Sequence, residues 1–466
     1  MKNDTGLQTA IAIANNAITQ SCAYKNFLKF NNFKEKTINS NNFFNLPISN
    51  KKSYVKKYNI LKYFPNKQIP ETISASSGSS GKPTFWFRSE TQENIGAEIH
   101  EFIFNKIFNI SKKTRTLVIV CFSMGVWVAG NFTTESCKKL KRIGYNISVI
   151  SPGIEINDIT NILDNLAINF ETTILIGYPP FIQNILQNYD QKKLKKIKNI
   201  KILTSGEKFS EEWRDAALKK INSKKLSDCI SLYGCADAGI LGFETPATIY
   251  FRRQLNKSEE LKKVFINQNL NEIPLIAQYL PKYIFFESLN DELILTSNTS
   301  LPLIRYNLKD LGKIIYPENL KLNNLKQDII QNFKNWPFPV IIKYGRSDVA
   351  LTFYAINIYP EHLNYAIKKL YLNNSFTGNF AAFSKNINKQ QTLEIFFETK
   401  NTQTPKKHLA EKFATHLSKV STEYRKLWSS ISTQALPKIN LVNNLKKLPK
   451  TQGLIWIKNK KPKMLY

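Results

Sequence analysis

The chain has 466 residues, of which 42% are hydrophobic, 12% aromatic and 22% charged. This composition is typical of a globular protein, and the length is sufficient for roughly two or three domains. The formal net charge is +31. That charge is compatible with an acidic partner, but lysine and asparagine are abundant throughout the chain, so charge alone does not favour a nucleic-acid-binding protein.

The cysteines and histidines argue against several classes of site. The five cysteines are an odd number without CxxC spacing, which disfavours a disulfide framework and a zinc site. The four histidines are scattered, so a hydrolase triad has little support. The longest apolar run, residues 117–130, is too short to span a membrane, and the N-terminus does not resemble a signal peptide. We therefore expect a cytoplasmic protein without a membrane span.

Residues 1–70 have the pattern of helices, with many basic residues. Between residues 90 and 220, short β-rich segments alternate with helical ones, and this alternation predicts a mostly parallel sheet covered by helices. The predicted strands are 116–120, 147–150, 173–177 and 200–203, and the predicted helices include 157–166 and 211–221.

Residues 245–345 are more strand-like and irregular, and a domain boundary is predicted near residues 345–348. Beyond it, the pattern predicts a compact α+β module of about 120 residues, an ordinary domain size. Its predicted elements are strands at 350–358 and 393–397, a helix at 361–370 and a long helical stretch at 407–428. The predicted fold class is therefore α/β, with a large N-terminal α/β domain (1–347) and a smaller C-terminal α+β domain (348–466).

The segment from Ser76 to Thr84 has the chemistry of a phosphate-binding loop. It contains four serines, two glycines and Lys82. Glycines allow close approach of the backbone to a phosphate, and hydroxyl and backbone N–H groups donate hydrogen bonds to its oxygens. It is not a Walker A loop, because Ser76 stands where that pattern requires glycine. The alternative is a flexible surface turn, which Ser/Gly clusters often form.

This loop resembles the phosphate-binding loop of the adenylate-forming enzyme superfamily, in the form seen in phenylacetate–CoA ligases. Three later segments resemble motifs of the same superfamily in the same order. They are Tyr233–Asp237, Pro302–Leu311, and Gly345–Asp348 followed by Asn357–Pro360. Four matches in order, spanning about residues 70–360, make the resemblance much stronger than any one motif.

The resemblance implies ATP-dependent activation of a carboxylic acid through an acyl-adenylate, followed by transfer to CoA as in an acid–thiol ligase. The implied cofactors are ATP, Mg²⁺ and CoA. Two alternatives stay open: transfer to an acidic carrier protein or an amine, and a non-catalytic nucleotide-binding protein. A small carboxylic acid is the expected substrate, and a homodimer is compatible with the same resemblance.

The resemblance also implies roles for individual residues. The loop would hold the β- and γ-phosphates, Tyr233 would lie against the adenine, and Asp237 would hold Mg²⁺. Asp310 and Arg346 would contact the ribose, and Asp348 matches the hinge before a mobile C-terminal domain. The implied catalytic residues are Lys82, Asp237 and Lys450. The implied nucleotide-binding residues are Ser76, Ser77, Gly78, Ser79, Ser80, Gly81, Lys82, Thr84, Glu207, Tyr233, Gly234, Asp310 and Arg346.

The match is incomplete at several positions. Asp237 stands where the superfamily usually has glutamate, and Ala236 stands where a serine or threonine is usual. Ala355 replaces a glycine. Lys450 lies in a segment similar to the setting of the adenylation lysine, but Leu454 stands where that lysine is expected. The alternatives for the adenylation lysine are Lys458 and Lys460.

The acid is not readable from the sequence. Its pocket is expected to include residues 126–131, 178–181 and 205–207. Trp127, Tyr178 and Phe181 in these ranges are compatible with an apolar or aromatic acid, although aromatic residues at such positions are also common in cores.

Overall fold

The computed structural model describes residues 5–76, 84–266, 274–319, 327–347, 351–354, 356–370, 376–387, 390–399, 408–445, 448, 453–456 and 463–465. These residues form two compact units: the first comprises the described residues up to Ser347 except Thr84, and the second comprises Thr84 and the described residues from Leu351 onwards. Among the described residues, no helix is both long and apolar enough to cross a membrane.

The first unit combines helices with a large sheet. Its helices are α1 (Thr5–Gln20), α2 (Cys22–Phe30), α3 (Glu90–Phe102), α4 (Val128–Arg142), α5 (Ile156–Asn165), α6 (Pro179–Asn188), α7 (Gln191–Leu194), α8 (Glu211–Lys220), α9 (Pro246–Lys257), α10 (Glu259–Phe265) and α11 (Gln327–Lys334). Its strands are β1 (Thr72–Ser76), β2 (Thr84–Arg88), β3 (Thr116–Cys121), β4 (Ile147–Ile150), β5 (Thr172–Gly177), β6 (Ile200–Ser205), β7 (Cys229–Cys235), β8 (Gly239–Phe243), β9 (Leu275–Gln278), β10 (Ile284–Leu289), β11 (Glu292–Ser297), β12 (Leu303–Ile315) and β13 (Val340–Arg346).

Eleven of these strands form one mixed sheet in the order β10-β11-β12-β13-β9-β8-β7-β6-β5-β3-β4. Pairing is parallel from β4 through β3, β5 and β6 to β7. It is antiparallel from β7 to the β10 edge. The parallel sheet predicted for residues 90–220 is therefore confirmed, and the more irregular segment after residue 245 forms the antiparallel half.

The parallel strands are rich in buried apolar residues because helices cover both faces of the sheet. Every residue of β3 is buried. Val118 packs in a cluster with residues of α3 and α4, such as Leu140. Leu117 packs on the opposite face, in a cluster with residues of α5 and α6 such as Leu163 and Ile182. The carboxyl ends of these strands carry the loops in which ligands bind in such sheets.

The second unit is an α+β module, as predicted. Its strands are β14 (Leu351–Phe353), β15 (Ile356–Ile358), β16 (Phe376–Ile387), β17 (Gln390–Thr399), β18 (Lys438–Val442), β19 (Gly453–Trp456) and β20 (Lys463–Leu465), and its helices are α12 (Pro360–Lys369), α13 (Leu409–Val420) and α14 (Thr422–Ile431). The strands form a β14–β15 hairpin and a sheet in the order β18-β17-β16-β19-β20. Side chains of the hairpin, the helices and this sheet share one core.

The long helical stretch predicted for residues 407–428 is helical from Leu409, and it forms two helices, α13 and α14. They are separated at Ser421, whose backbone is extended and whose hydroxyl accepts a hydrogen bond from the N–H of Tyr424 at 3.2 Å. Ser421 is buried. Its N-cap stabilises the start of a new helix, and this local effect interrupts a hydrophobic pattern that otherwise continues across the break.

His100 on α3 is fully buried between apolar side chains. Its Nδ1 donates to the carbonyl oxygen of Gly96 at 2.7 Å, and its ring packs edge-on against Phe104. Burial lowers the pKa of His100 to about 4. Nε2 has no hydrogen-bond partner among the described residues, so protonation would place an uncompensated N–H in the core.

We therefore expect acid destabilisation through His100. Because the folded pKa lies below that of the unfolded chain, the unfolded state binds the proton first as the pH falls. The free energy of unfolding should fall by up to about 3 kcal/mol between pH 6.5 and 4 from this residue. Chemical denaturation across that range should show a shallower pH dependence for His100→Leu than for the wild type. His408→Gln, at an exposed histidine, is the control, and an unchanged slope in His100→Leu would contradict the assignment.

Candidate active site

Asp310 and Arg346 lie directly opposite each other on the antiparallel strands β12 and β13. Arg346 Nη1 donates to Asp310 Oδ1 at 3.1 Å, and Arg346 Nη2 donates to the carbonyl oxygen of Leu308 at 3.3 Å. Asp310 is buried, whereas 29% of the Arg346 side chain is exposed. The two motifs therefore meet through strand pairing, although they are distant in the chain.

Tyr233 on β7 completes this cluster from the parallel side of the sheet. Its hydroxyl donates to Asp310 Oδ2 at 2.6 Å. Burial, followed by the charge of Asp310, raises the pKa of Tyr233 well above its ordinary value, so the phenol keeps its proton. Lys343 Nζ lies 3.5 Å from Asp310 Oδ1 and 5.9 Å from the centre of the Tyr233 ring. Burial lowers the pKa of Lys343, while Asp310 raises it.

Asp237 lies in the turn between β7 and β8. Tyr306 on β12 donates its hydroxyl proton to Asp237 Oδ2 at 2.6 Å, and Lys51 Nζ lies 3.2 Å from Asp237 Oδ1. Burial, followed by the charge of Asp237, raises the pKa of Tyr306 well above its ordinary value. Burial, followed by the charges of Asp237 and Asp310, raises the pKa of the Cys235 thiol to about 12.

Lys51 reaches this turn because the preceding segment is bound to β12. Ser49 pairs with β12 through its N–H to the carbonyl of Arg305 at 3.0 Å, and its own carbonyl accepts from the N–H of Asn307 at 2.8 Å. Asn50 then caps a short π-helical turn, Lys51–Val55, by accepting from backbone N–H groups. These backbone contacts direct the start of that turn towards Asp237.

Arg305, although it belongs to a matching motif, has a structural role. Its guanidinium donates to both carboxylate oxygens of Glu287, at 3.0 and 2.9 Å, and to the carbonyl of Leu46 at 2.6 Å. Arg305 also donates to the carbonyl of Phe44. The side chain is nearly buried, so these contacts hold the N-terminal segment against β12.

The two residues that border the phosphate-loop candidate are described. Trp86 Nε1 donates to Ser76 Oγ at 2.9 Å, and Lys51 Nζ lies 5.1 Å from the Trp86 ring centre. Thr84 is buried, and its hydroxyl has no hydrogen-bond partner among the described residues. Trp86 therefore connects the end of β1 to the ammonium that faces Asp237.

Arg88, at the end of β2, is a buried cation beside the Asp237 turn. It donates to the carbonyl oxygens of Phe87, at 3.1 Å, and of Ala236. Burial lowers the pKa of Arg88 to about 10. The Ala236 carbonyl is thus held by a charge-assisted hydrogen bond, which constrains the turn that carries Asp237.

The structure brings together Tyr233, Asp237, Asp310 and Arg346 around the β7–β8 turn and the β12–β13 pair. Gly234 adjoins β6, because a Cβ on it would lie 3.7 Å from Ser205 Oγ. Glu207 is half-buried in the segment that follows β6. Several predicted residues lie outside the described residues: Ser77, Gly78, Ser79, Ser80, Gly81, Lys82, Asp348, Ala355, Lys450, Lys458 and Lys460.

Sequence reasoning missed Lys51, Trp86, Tyr306 and Lys343. Tyr306 lies inside a matching motif, and Trp86 lies two residues after the phosphate-loop candidate, so both were visible candidates. Lys343 is a charged residue that directly follows three apolar residues, Val340 to Ile342, which is a usable signal. Lys51 carries no such signal, since it is one lysine in a basic segment.

The residues around Asp237 suit one kind of cation. Among the described residues, no group of three or more histidine, cysteine, aspartate or glutamate side chains could hold a metal ion. The Asp237 side chain is 12% exposed and offers carboxylate oxygens. Mg²⁺ is commonly held by one or two carboxylates together with substrate phosphates and water. The donor set therefore fits Mg²⁺ bound with a nucleotide and does not fit a zinc centre.

Comparison with solved structures identifies the fold. The chain is similar to 2-hydroxyisobutyryl-CoA ligase in complex with 2-HIB-AMP and CoA in the thioesterification state, with a TM-score of 0.62 and 13% identity over 96% of this chain and 87% of that chain. This chain has the fold of an adenylate-forming CoA ligase. The open conformation of the same ligase gives a TM-score of 0.54 with 14% identity, covering 96% and 88% of the two chains.

A third structure, the ligase in the postadenylation state with R3-HIB-AMP, gives a TM-score of 0.53 with 13% identity over 94% of this chain and 85% of that chain. No family model and no curated protein matches the sequence. The CoA-ligase fold expected from the four motifs is confirmed, because the similarity spans both units and not the motifs alone.

Proposed function

We propose that this protein activates a carboxylic acid with ATP through an acyl-adenylate and transfers the acyl group to CoA. The supporting observation is the convergence of Asp310, Arg346 and Tyr233 with Asp237 in the fold of a CoA ligase. In that arrangement one buried carboxylate is available to a ribose and a second to a phosphate-bound cation. The similar solved ligase is described in complex with an acyl-AMP and CoA.

The chemistry of acid activation explains why the site needs the carboxylates of both Asp237 and Asp310. A carboxylate is a poor electrophile. When its oxygen attacks the α-phosphorus of ATP, the bond from that phosphorus to the bridging oxygen of the β-phosphate breaks and pyrophosphate leaves. The product is a mixed anhydride, the acyl-adenylate, whose AMP is a good leaving group. Catalysis then depends on alignment and on neutralising the charge of the phosphates. Mg²⁺, when bound, would neutralise phosphate charge. We propose that Asp237 holds it and that Lys82, with the loop from Ser76 to Thr84, binds the β- and γ-phosphates.

We propose that the remaining residues bind and orient the nucleotide. Asp310, held by Tyr233 and Arg346, would accept hydrogen bonds from the ribose hydroxyls, and its buried setting keeps the oxygens in place. We assign Lys51 as a further cation at the phosphate end, because its ammonium faces Asp237. Tyr233 and Gly234 would border the adenine, and Glu207 would complete the nucleotide site.

We also propose that residues 1–347 form the ATP-binding domain and residues 348–466 a mobile domain with a hinge at Asp348. This rests on the similarity of Gly345–Asp348 to the superfamily hinge. Lys450 remains our candidate for the adenylation lysine. Transfer to an acidic carrier protein or an amine is the alternative to CoA, and a homodimeric assembly and a cytoplasmic location are further predictions from the sequence.

The test is acid-dependent exchange of pyrophosphate into ATP over a panel of carboxylic acids. Exchange with at least one acid, followed by thioester formation when CoA is added, would support the proposal. If ATP binds while no acid supports exchange, the protein is instead a non-catalytic nucleotide-binding protein. That alternative has one specific observation in its favour, since Ala236 lacks the hydroxyl usual at its position.

Lys51→Met should raise the KM for ATP in this exchange about tenfold, which corresponds to about 1.4 kcal/mol. The physical reason is the loss of an ammonium beside Asp237 and the phosphate-loop candidate. Lys52→Met is the matched control, because Lys52 is the exposed neighbour in the same turn. Equal KM values for the two variants would show that Lys51 does not contribute to ATP binding.

A further inference from the structure

A small cavity lies beside the turn that carries Asp237. Ala238, the next residue, forms part of its wall. The space in which the centre of a water molecule can move is about 20 Å³. The apolar part of the wall includes Ile95 and Ile99 of α3, Phe132 of α4, and Leu241 of β8, together with Leu280 and Ile284.

One polar side chain in this wall, Gln92 on α3, has a fixed orientation. Its Oε1 accepts from the backbone N–H of Ser300 at 3.4 Å and from the Ser300 hydroxyl at 3.3 Å. Ser300 Oγ itself accepts from the N–H of Ser89 at 2.9 Å, so its own hydrogen is available to Gln92. Because a backbone N–H can only donate, the oxygen of the amide must face Ser300 and the NH₂ group must face away.

Gln92 lines the cavity, and its NH₂ group faces away from Ser300. Nε2 lies 3.9 Å from the position that a Cβ on Gly239 would occupy, and the edge of the Phe132 ring lies 3.7 Å from the same position. Gly239 has a φ of +83°, so a side chain there would be strained, and the hollow between these residues stays open.

This amide is buried without an acceptor. Gln92 is 4% exposed, and Nε2 has no hydrogen-bond partner among the described residues. An unsatisfied buried donor costs about 1–3 kcal/mol. A donor held in this way at a cavity wall, next to a candidate catalytic turn, is suited to binding a hydrogen-bond acceptor of a ligand.

We infer that Gln92 determines acid specificity, and that the acid carries a hydrogen-bond acceptor that binds Gln92 Nε2 in this cavity. The substrate class is a carboxylic acid with a hydroxyl, carbonyl or ether oxygen on a small apolar body. The inference rests on the proposed function. A free volume of about 20 Å³ accommodates about one water-sized group, which fits a single oxygen.

The experiment compares pairs of acids that share a carbon skeleton and differ in one acceptor oxygen, using pyrophosphate exchange. For at least one such pair, the wild type should prefer the oxygen-bearing acid in kcat/KM by about 10- to 100-fold. The reason is that the Gln92 donor stays unpaired when the analogue without the oxygen binds. Gln92→Met, which keeps the length and removes the amide, should reduce this ratio to near one. The ratio is measured within one preparation, so it does not depend on the folded fraction.

Gln278→Met is the matched control. Gln278 is also buried, but its amide oxygen accepts from Thr245 and its Nε2 donates to the carbonyls of Trp336 and Phe338. Its replacement should lower stability and preserve the acid preference. If Gln92→Met does not fold, Gln92→Asn, which withdraws the amide by one methylene, should reduce the ratio in the same direction.

The possible outcomes distinguish the inference about Gln92 from the proposed function on which it rests. Exchange with a preference that disappears in Gln92→Met supports both. Exchange without an acceptor preference, or with a preference that Gln92→Met retains, overturns the inference and leaves acid activation standing. Absence of exchange with every acid overturns the proposed function, and the inference with it.

Discussion

Asp310→Asn should lower kcat/KM for ATP in pyrophosphate exchange by about 30- to 1,000-fold, which corresponds to about 2–4 kcal/mol. The substitution removes the negative charge that both the Arg346 guanidinium and the Lys343 ammonium face. It also replaces one acceptor oxygen with an amide that donates. We expect most of the loss in the KM for ATP, because a ribose contact contributes to binding before and during the reaction.

The control for Asp310→Asn is the same substitution at a different buried ion pair. Asp228 accepts from Lys201 at 2.7 Å, and both side chains are nearly buried. Asp228→Asn should lower the free energy of unfolding, since removing one partner leaves a buried charge uncompensated. It should leave the KM for ATP close to that of the wild type. Similar KM values in the two variants would show that Asp310 is a structural carboxylate.

Asp237→Asn should reduce the exchange rate by about 100- to 1,000-fold, in line with the loss of one preorganised charge at a reacting phosphate. The carboxylate is held by Tyr306 and faces Lys51, so an amide there loses the negative charge without changing shape. The dependence of the rate on Mg²⁺ concentration should shift to higher concentrations. Binding of Mg²⁺–ATP, followed by calorimetry, provides a readout that does not require turnover.

Asp237→Glu is the matched variant, because it keeps the charge and introduces the residue usual in the superfamily. We expect its exchange rate to stay within about tenfold of the wild type, the cost of moving the carboxylate by one methylene being about 1 kcal/mol. If Asn and Glu at this position give equal losses, charge is not what Asp237 contributes, and the metal assignment falls.

Much of the architecture could be predicted because it depends on local pattern. The alternation of apolar strands and amphipathic helices between residues 116 and 221 fixes a parallel sheet, since such strands need a crossover and a helix to cover each face. The broken helix at Ser421 could not be predicted in this way. Its periodicity is continuous, and the capping hydrogen bond that breaks it is a competing local interaction.

For the nucleotide site too, the residue types could be predicted from the sequence, whereas their arrangement could not. Tyr233, Asp310 and Arg346 lie in recognisable motifs, so their chemistry was readable before any fold was known. That Asp310 and Arg346 are cross-strand partners, and that Tyr233 shares the same carboxylate, depends on the register of β12 and β13 and on the position of β7. Register is set by the packing of whole strands.

By itself, the sequence determined the class of chemistry and the type of fold. Residue identity at motif positions and periodicity are both properties of short segments. Only the tertiary structure decided that Lys51 faces Asp237 and that the NH₂ group of Gln92 faces away from Ser300 at a cavity wall. The first requires an N-terminal segment docked on β12, and the second requires Ser300 to hold one end of the amide. Both depend on contacts between segments far apart in the chain, which no local pattern records.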